Sequence, residues 1–141
     1  MRVYQVAASI IRHKDKILIA QRLKDAHMGL KWEFPGGKIE PGESVEDCLR
    51  RELKEELDLE IEVDGEFTVI EHQYEDMKIF LHCHWCRYLG GIAKPKECRA
   101  FRWVNLEELK DYDFAGADQK VVRLLLEKHE KALPGHGTRQ K

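Results

Sequence analysis

Residues Arg50–Asp58 read Arg-Arg-Glu-Leu-Lys-Glu-Glu-Leu-Asp, and as a helix this run stacks Glu52, Glu55 and Glu56 at spacings i, i+3 and i+4. Like charges at those spacings are neighbours and repel by about 0.2–0.5 kcal/mol per pair. The flanking sequence supports the helix. Ser44 opens it, with Asp47 three residues on as a weak capping box, and Val45, Leu49, Leu53 and Leu57 recur every fourth residue as one apolar stripe. At about 100° per residue the stripe covers azimuths of about 20° to 140° and the three glutamates about 300° to 40°. The carboxylates therefore lie on the edge of the buried stripe, whereas a merely solvated charged face would lie opposite it. Arg51 can pair with Glu55 at i+4, so the geometry leaves two readings open: a salt-bridged edge, or a place for a cation.

The chain has 141 residues, 43% hydrophobic and 35% charged, with a net charge of −2. That length suits one domain with a sizeable core. The composition excludes wholesale disorder, and the charge balance supplies no basic field for nucleic acid. No run approaches ~18 apolar residues, so no membrane span is expected. The N-terminus lacks a signal-peptide pattern, so the expected location is the cytoplasm, with Cys48, Cys83, Cys86 and Cys98 as reduced thiols. Cys83 and Cys86, within HCHWC, invite a zinc reading. The segment reads as a strand, however, where residues three apart face opposite ways, and no second pair stands at metal-site spacing. His82 and His84 share a strand face and read as sheet histidines or as pocket-lining residues.

Residues 3–12 and 16–22 are β-rich and joined at His13-Lys14-Asp15, the pattern of a hairpin. A Gly/Pro-punctuated loop, DAHMGLKWEFPGGKIEPGE, follows and is long enough to be functional. Beyond the helix, short strands are expected at 61–63, 66–74, 77–89 and 100–104, with a turn at Gly90-Gly91. Asn105 is placed to cap a short helix, and Ala117-Asp118 to precede a last amphipathic helix. Residues 134–141 read as a flexible tail. Strands in this number with two substantial helices predict an α+β fold, a mixed sheet flanked by helices.

From Gly37 to Leu59 the sequence resembles the Nudix box, G-x5-E-x7-R-E-U-x-E-E-x-G-U, with U a bulky aliphatic residue. Gly37, Glu43, Arg51, Glu52, Leu53, Glu55, Glu56 and Leu59 fall on the pattern. Asp58 stands where the family has Gly; Asp is one of the few other residues that adopt a left-handed helix end, at a cost of about 1 kcal/mol. The resemblance implies the Nudix fold over residues 1–133, a mixed β-sheet sandwiched between α-helices, and hydrolysis of a phosphoanhydride with Mg²⁺, or Mn²⁺ in its place. It implies Glu52, Glu55 and Glu56 as metal ligands with the Gly37 carbonyl, and Glu43 and Arg51 as the pair that orients them. Mg²⁺ suits this because it takes a few carboxylates and leaves positions for phosphate and water. The glycines of PGGK would let backbone approach the phosphates. Lys38 reads equally as a phosphate contact or as an idle loop lysine.

The segment from Gln21 to Glu43, with DFAGAD near the C-terminus, is similar to the MutT-like branch of the family. That likeness implies release of monophosphate and pyrophosphate from a nucleoside triphosphate, with Arg22 on phosphate, His27 and Phe34 at the nucleotide pocket, Asp118 on the base, and Glu97 at the metal site as a further ligand and catalytic group. Phe34 and Trp32 also fit as core aromatics. Asp118 departs from the MutT pattern, which has Asn there, while related CTP pyrophosphohydrolases carry Asp in a similar context. The expected substrate is therefore an oxidised purine such as 8-oxo-dGTP, or alternatively (d)CTP. A rival of another class is a nucleotide-binding domain without catalysis, although such domains usually lose box carboxylates and all four glutamates stand here. Oligomeric state is not legible in the sequence.

Overall fold

The computed structural model describes residues 1–132, so the expected tail at 134–141 lies outside them. Strand β1 (Arg2–His13) turns at Lys14-Asp15 into β2 (Lys16–Gln21). Both turn residues have positive φ, 51° and 65°, which matches the twist of the two strands and gives the expected hairpin. The loop after β2 contains two short strands that its punctuation hid, β3 (Trp32–Glu33) and β4 (Gly36–Lys38). Helix α1 (Val45–Leu57), β5 (Glu60–Tyr74), β6 (Met77–Gly90), β7 (Ala100–Asn105), a 3-10 turn (Leu106–Asp111) and α2 (Gly116–Ala132) follow.

The strands form one mixed sheet in the order β3-β2-β1-β6-β5, with β4 added to β1 and β7 to β2. β1 runs parallel to β6, and the other pairings are antiparallel. The two strands expected at 61–63 and 66–74 are one. The Asp64-Gly65 step that read as a break is an irregularity in the β5–β6 register, as a glycine within a strand allows.

Alternation along β1 builds two cores. Ala8 and Ile10 face Val121 and Leu125 of α2, while Ala7 and Ile11 face Leu49, Leu53 and Leu57 of α1. Cys83 and Cys86 fall in opposite cores, which removes the zinc reading. Among the described residues no helix is long and apolar enough to cross a membrane.

Helix α1 begins as expected, with the Ser44 side chain accepting from the Asp47 N–H at 3.0 Å. It ends at Asp58, which adopts φ 60° and ψ 38° and donates its N–H back to the Leu53 and Lys54 carbonyls. Helix α2 begins three residues before Gln119, where the sequence pattern starts it. Asp118 is therefore inside the first turn rather than ahead of it.

Candidate active site

A pocket of about 500 Å³ opens at the N-terminal end of β1, lined among others by Tyr4, Arg22, His27, Phe34, Lys38 and Asp118. Each of its expected members arrives on a different support. Ser9 of β1 holds Pro35 through both its backbone N–H (2.8 Å) and its hydroxyl (2.6 Å), which fixes the Phe34–Gly37 segment against the sheet. Phe34 is 2% exposed and stacks on Phe114 with ring centroids 5.3 Å apart. It is a core residue and a pocket wall at once. Its backbone N–H donates to Asp118 Oδ1 at 3.0 Å, so the first turn of α2 is tied to the pocket loop.

Asp118 is 7% exposed. Burial, and then the charge of Glu33, push its carboxyl up to about 8, against the opposing pull of the Phe34 N–H and Arg22. At neutral pH it is mainly protonated, so it can both donate and accept. It is not the N-cap of α2, because it lies inside the first turn of that helix.

Arg22 is committed within the protein. Its Nη1 donates to Glu33 Oε1 at 2.6 Å and its Nε to the His27 carbonyl. His27 stacks edge-on to Tyr74 at 4.7 Å, and partial burial, with Arg22 nearby, lowers the pKa of its imidazole. Lys38 places its ammonium 4.1 Å from the Tyr4 ring centroid, at the pocket mouth.

The box carboxylates lie behind Gly37, beside the pocket rather than in its lining. Their exposure follows their azimuth on α1: Glu56 is 7% exposed, the Glu52 side chain 16% and the Glu55 side chain 48%. Arg51 organises them. It holds Glu43 through two bonds of 2.7 and 2.9 Å, Glu52 at 2.9 Å and Glu55 at 3.4 Å, and it reaches the Lys38 carbonyl at 3.2 Å. That grip, with the Glu40 N–H, holds Glu43 down at about 2. Glu43 and Arg51 are thus a bidentate ion pair.

The glycines of PGGK serve packing inside the protein. A Cβ on Gly36 would meet the Ala7 carbonyl across the β1–β4 pairing, and one on Gly37 would land on the Glu52 carboxylate. Gly37→Ala should therefore displace Glu52 and lower kcat/KM at least tenfold with little change in melting temperature. Unchanged kinetics would mean that Glu52 has no fixed position to lose.

Glu56 is the unusual member. Its Oε1 is buried with no hydrogen-bond partner, and burial, followed by the charges of Glu33 and Glu52, raises its carboxyl well above the usual range. Burial likewise raises Glu52 and Glu33 against the pull of Arg51 and Arg22. A desolvated carboxyl cluster with an orphaned oxygen is short of positive charge, and a divalent cation fits that deficit. The cluster is not a ready-made cage, however. Among the described residues no three His, Cys, Asp or Glu side chains converge as a metal site, and Arg51 bonds both Glu52 and Glu55.

Glu97 falls outside the cluster by its side-chain contacts. It is exposed, and what ties it to the site is its backbone N–H, 3.2 Å from the Glu56 carbonyl. Conversely, Glu33 was not expected. The β2–β3 pairing sets it beside Arg22, where its charge acts on both Glu56 and Asp118.

The NUDIX domain model matches residues 6–124. The chain is 40% identical over 128 residues to the CTP pyrophosphohydrolase of Escherichia coli K12, covering 89% of this chain and 93% of that protein. It is 36% identical over 126 residues to the 8-oxo-dGTP diphosphatase of the same organism, covering 89% and 98%. The solution structure of the E. coli ORF135 protein superposes with a TM-score of 0.79 at 32% identity, covering 94% of each chain. With the box on α1, the sheet sandwiched between helices and a family match over most of its length, this chain belongs to the NUDIX family.

Proposed function

We propose that this protein is a divalent-metal-dependent pyrophosphohydrolase that converts a nucleoside triphosphate to the monophosphate and pyrophosphate. The observation that carries the reading is the orphaned Glu56 Oε1 within the Glu33–Glu52–Glu56 cluster, beside a nucleotide-sized pocket. Glu52, Glu55 and Glu56, with the Gly37 carbonyl, would hold the metal, and Glu97 would join from its loop. Mg²⁺, or Mn²⁺, supplies charge neutralisation of the phosphate oxygens and an activated water.

The chain's own groups do the rest. Arg51 and Glu43 keep Glu52 and Glu55 aligned. Lys38 would supply positive charge to the phosphates, and Arg22 would do so by exchanging its bonds to Glu33 and the His27 carbonyl for phosphate oxygens, while Phe34, His27 and Asp118 would bound the base. In this reading the substrate is a damaged or surplus nucleotide, 8-oxo-dGTP in the first place and (d)CTP as the alternative; the two E. coli relatives bear one name of each kind.

Hydrolysis in ¹⁸O-water tests the course of the reaction. Attack at the β-phosphorus forms a bond from water oxygen to that phosphorus and breaks its bond to the oxygen bridging to the α-phosphorus. The label should then appear in pyrophosphate. Label in the monophosphate would show attack at the α-phosphorus instead, and nucleotide bound without any pyrophosphate released would make the domain a binding module.

A further inference from the structure

The described residues form a second cleft, of about 810 Å³, at the far end of β1. Tyr4 in the first pocket and Arg12 in the second lie on one strand, about 26 Å apart at about 3.3 Å per residue. The wall of this cleft carries Arg12, Lys14, Lys16, Arg87 and Lys128 against one carboxylate, Asp15, although the chain as a whole has a net charge of −2. Two of these cations are occupied. Arg87 Nε is shared by both oxygens of Asp64 at 3.0 Å, and Lys16 donates to Asn105 at 3.0 Å.

Arg12, Lys14 and Lys128 have no carboxylate partner among the described residues. Two of them nevertheless converge on one indole. The Arg12 guanidinium lies 4.4 Å from the Trp85 ring centroid, and Lys128, from α2, stands 6.0 Å from the same ring and 5.3 Å from Phe67. The ring attracts each cation but does not cancel the repulsion between them. An anion placed between them would.

We propose that this cleft is a second anion site that takes a phosphoanhydride chain, that of inorganic pyrophosphate or of a nucleoside triphosphate, with Arg12 and Lys128 as its principal contacts. The cations unpaired among the described residues come from three segments, the end of β1, the β1–β2 turn and α2, and all of them line this one cleft. Linked phosphates present a separate charge to each of them. None of these residues belongs to the catalytic site, so the proposal holds or falls apart from the reaction above.

An NMR titration of the full chain with pyrophosphate, in EDTA to keep metal from the helix carboxylates, reads the site directly. Saturable shifts are expected at the amides of Arg12 to Lys16 and at the Trp85 indole, weakening several-fold between about 50 and 200 mM salt. The double substitution Arg12→Ala/Lys128→Ala should weaken binding at least tenfold and leave triphosphate hydrolysis by the metal-loaded enzyme unchanged. Lys128→Glu, an exposed change on α2, should do the same should the double variant fold poorly. ATP matching pyrophosphate assigns the site to the phosphate chain in either carrier, and pyrophosphate binding alone assigns it to the free product. The proposal is overturned if the cleft amides do not move at about 10 mM pyrophosphate, or if the variants bind within twofold of wild type. An oligothymidylate binding there more tightly than pyrophosphate would also overturn it, by making the cleft a nucleic-acid site.

Discussion

Glu56→Gln is expected to remove nearly all pyrophosphohydrolase activity while leaving the fold as stable as before, or more so. Gln is close to Glu in volume, so the packing of α1 against the sheet is kept. The substitution removes a carboxyl whose Oε1 is buried without a partner, at 7% exposure, between Glu33 and Glu52. Without metal, that loss relieves a desolvated charge. With metal and substrate, it removes a ligand where negative charge builds up, at a cost of several kcal/mol, or roughly 10²- to 10⁴-fold in kcat/KM.

The two effects have opposite signs, and that separates a functional carboxylate from a structural one. A melting curve gives a further readout that does not depend on turnover. Mg²⁺ should raise the wild-type melting temperature by mass action, and this rise should shrink in Glu56→Gln. By contrast, Leu53→Ala, which empties a fully buried position on the same helix, should cost about 2–5 kcal/mol of stability and leave activity per folded molecule intact. Full activity in Glu56→Gln, or in excess EDTA, would defeat the metal assignment.

The parts of this site that were legible in the sequence are those set by local periodicity. Helix α1 declares itself by an apolar residue every fourth position, and the burial order Glu56, Glu52, Glu55 follows from their angles to that stripe. Asp58 could be placed at a left-handed helix end because few residues other than Gly tolerate one.

Glu33 was not legible, because nothing local marks it. Its partner Arg22 reaches it only because two residues, Trp32 and Glu33, pair with the end of β2. The start of α2 is not legible in the sequence for a related reason. Ala115-Gly116-Ala117 carries no apolar period and includes a poor helix former. The turn is fixed instead by long-range bonds, from the Ala115 N–H to the Trp32 carbonyl at 2.9 Å and from the Ala117 N–H to the Tyr74 hydroxyl at 3.0 Å. The glycines of PGGK were legible as close approaches, and within the protein the groups that approach them are Ala7 and Glu52.

The second large effect concerns Asp118 and is expected to appear as a pH dependence of base choice. Asp118 lines the pocket, accepts the Phe34 N–H on Oδ1, and is held up at about 8 by burial and the nearby Glu33. Below that value it is neutral, and its second oxygen can donate as well as accept, as an amide does. Asp118→Asn should therefore resemble the wild type near pH 7, with the ratio of kcat/KM for 8-oxo-dGTP over dCTP within about threefold. Between pH 7 and 9.5 the wild type loses its donor, and a lost or inverted hydrogen bond to the base should move that ratio by about 1–3 kcal/mol, roughly 5- to 150-fold. The Asn variant, which does not titrate, should hold its ratio across the range. Taking the ratio cancels pH effects common to both substrates, such as those on metal and phosphate.

Stability should carry the same signature. The folded state binds the Asp118 proton more tightly than the unfolded chain, where the group titrates near ~3.9. Its contribution therefore falls as pH rises from about 4 to about 8 and is level above that. Relative to the wild type, Asp118→Asn should gain melting temperature over that window. A wild-type ratio that stays constant from pH 7 to 9.5 would leave Asp118 as a tie between α2 and Phe34, with base choice residing elsewhere in the pocket.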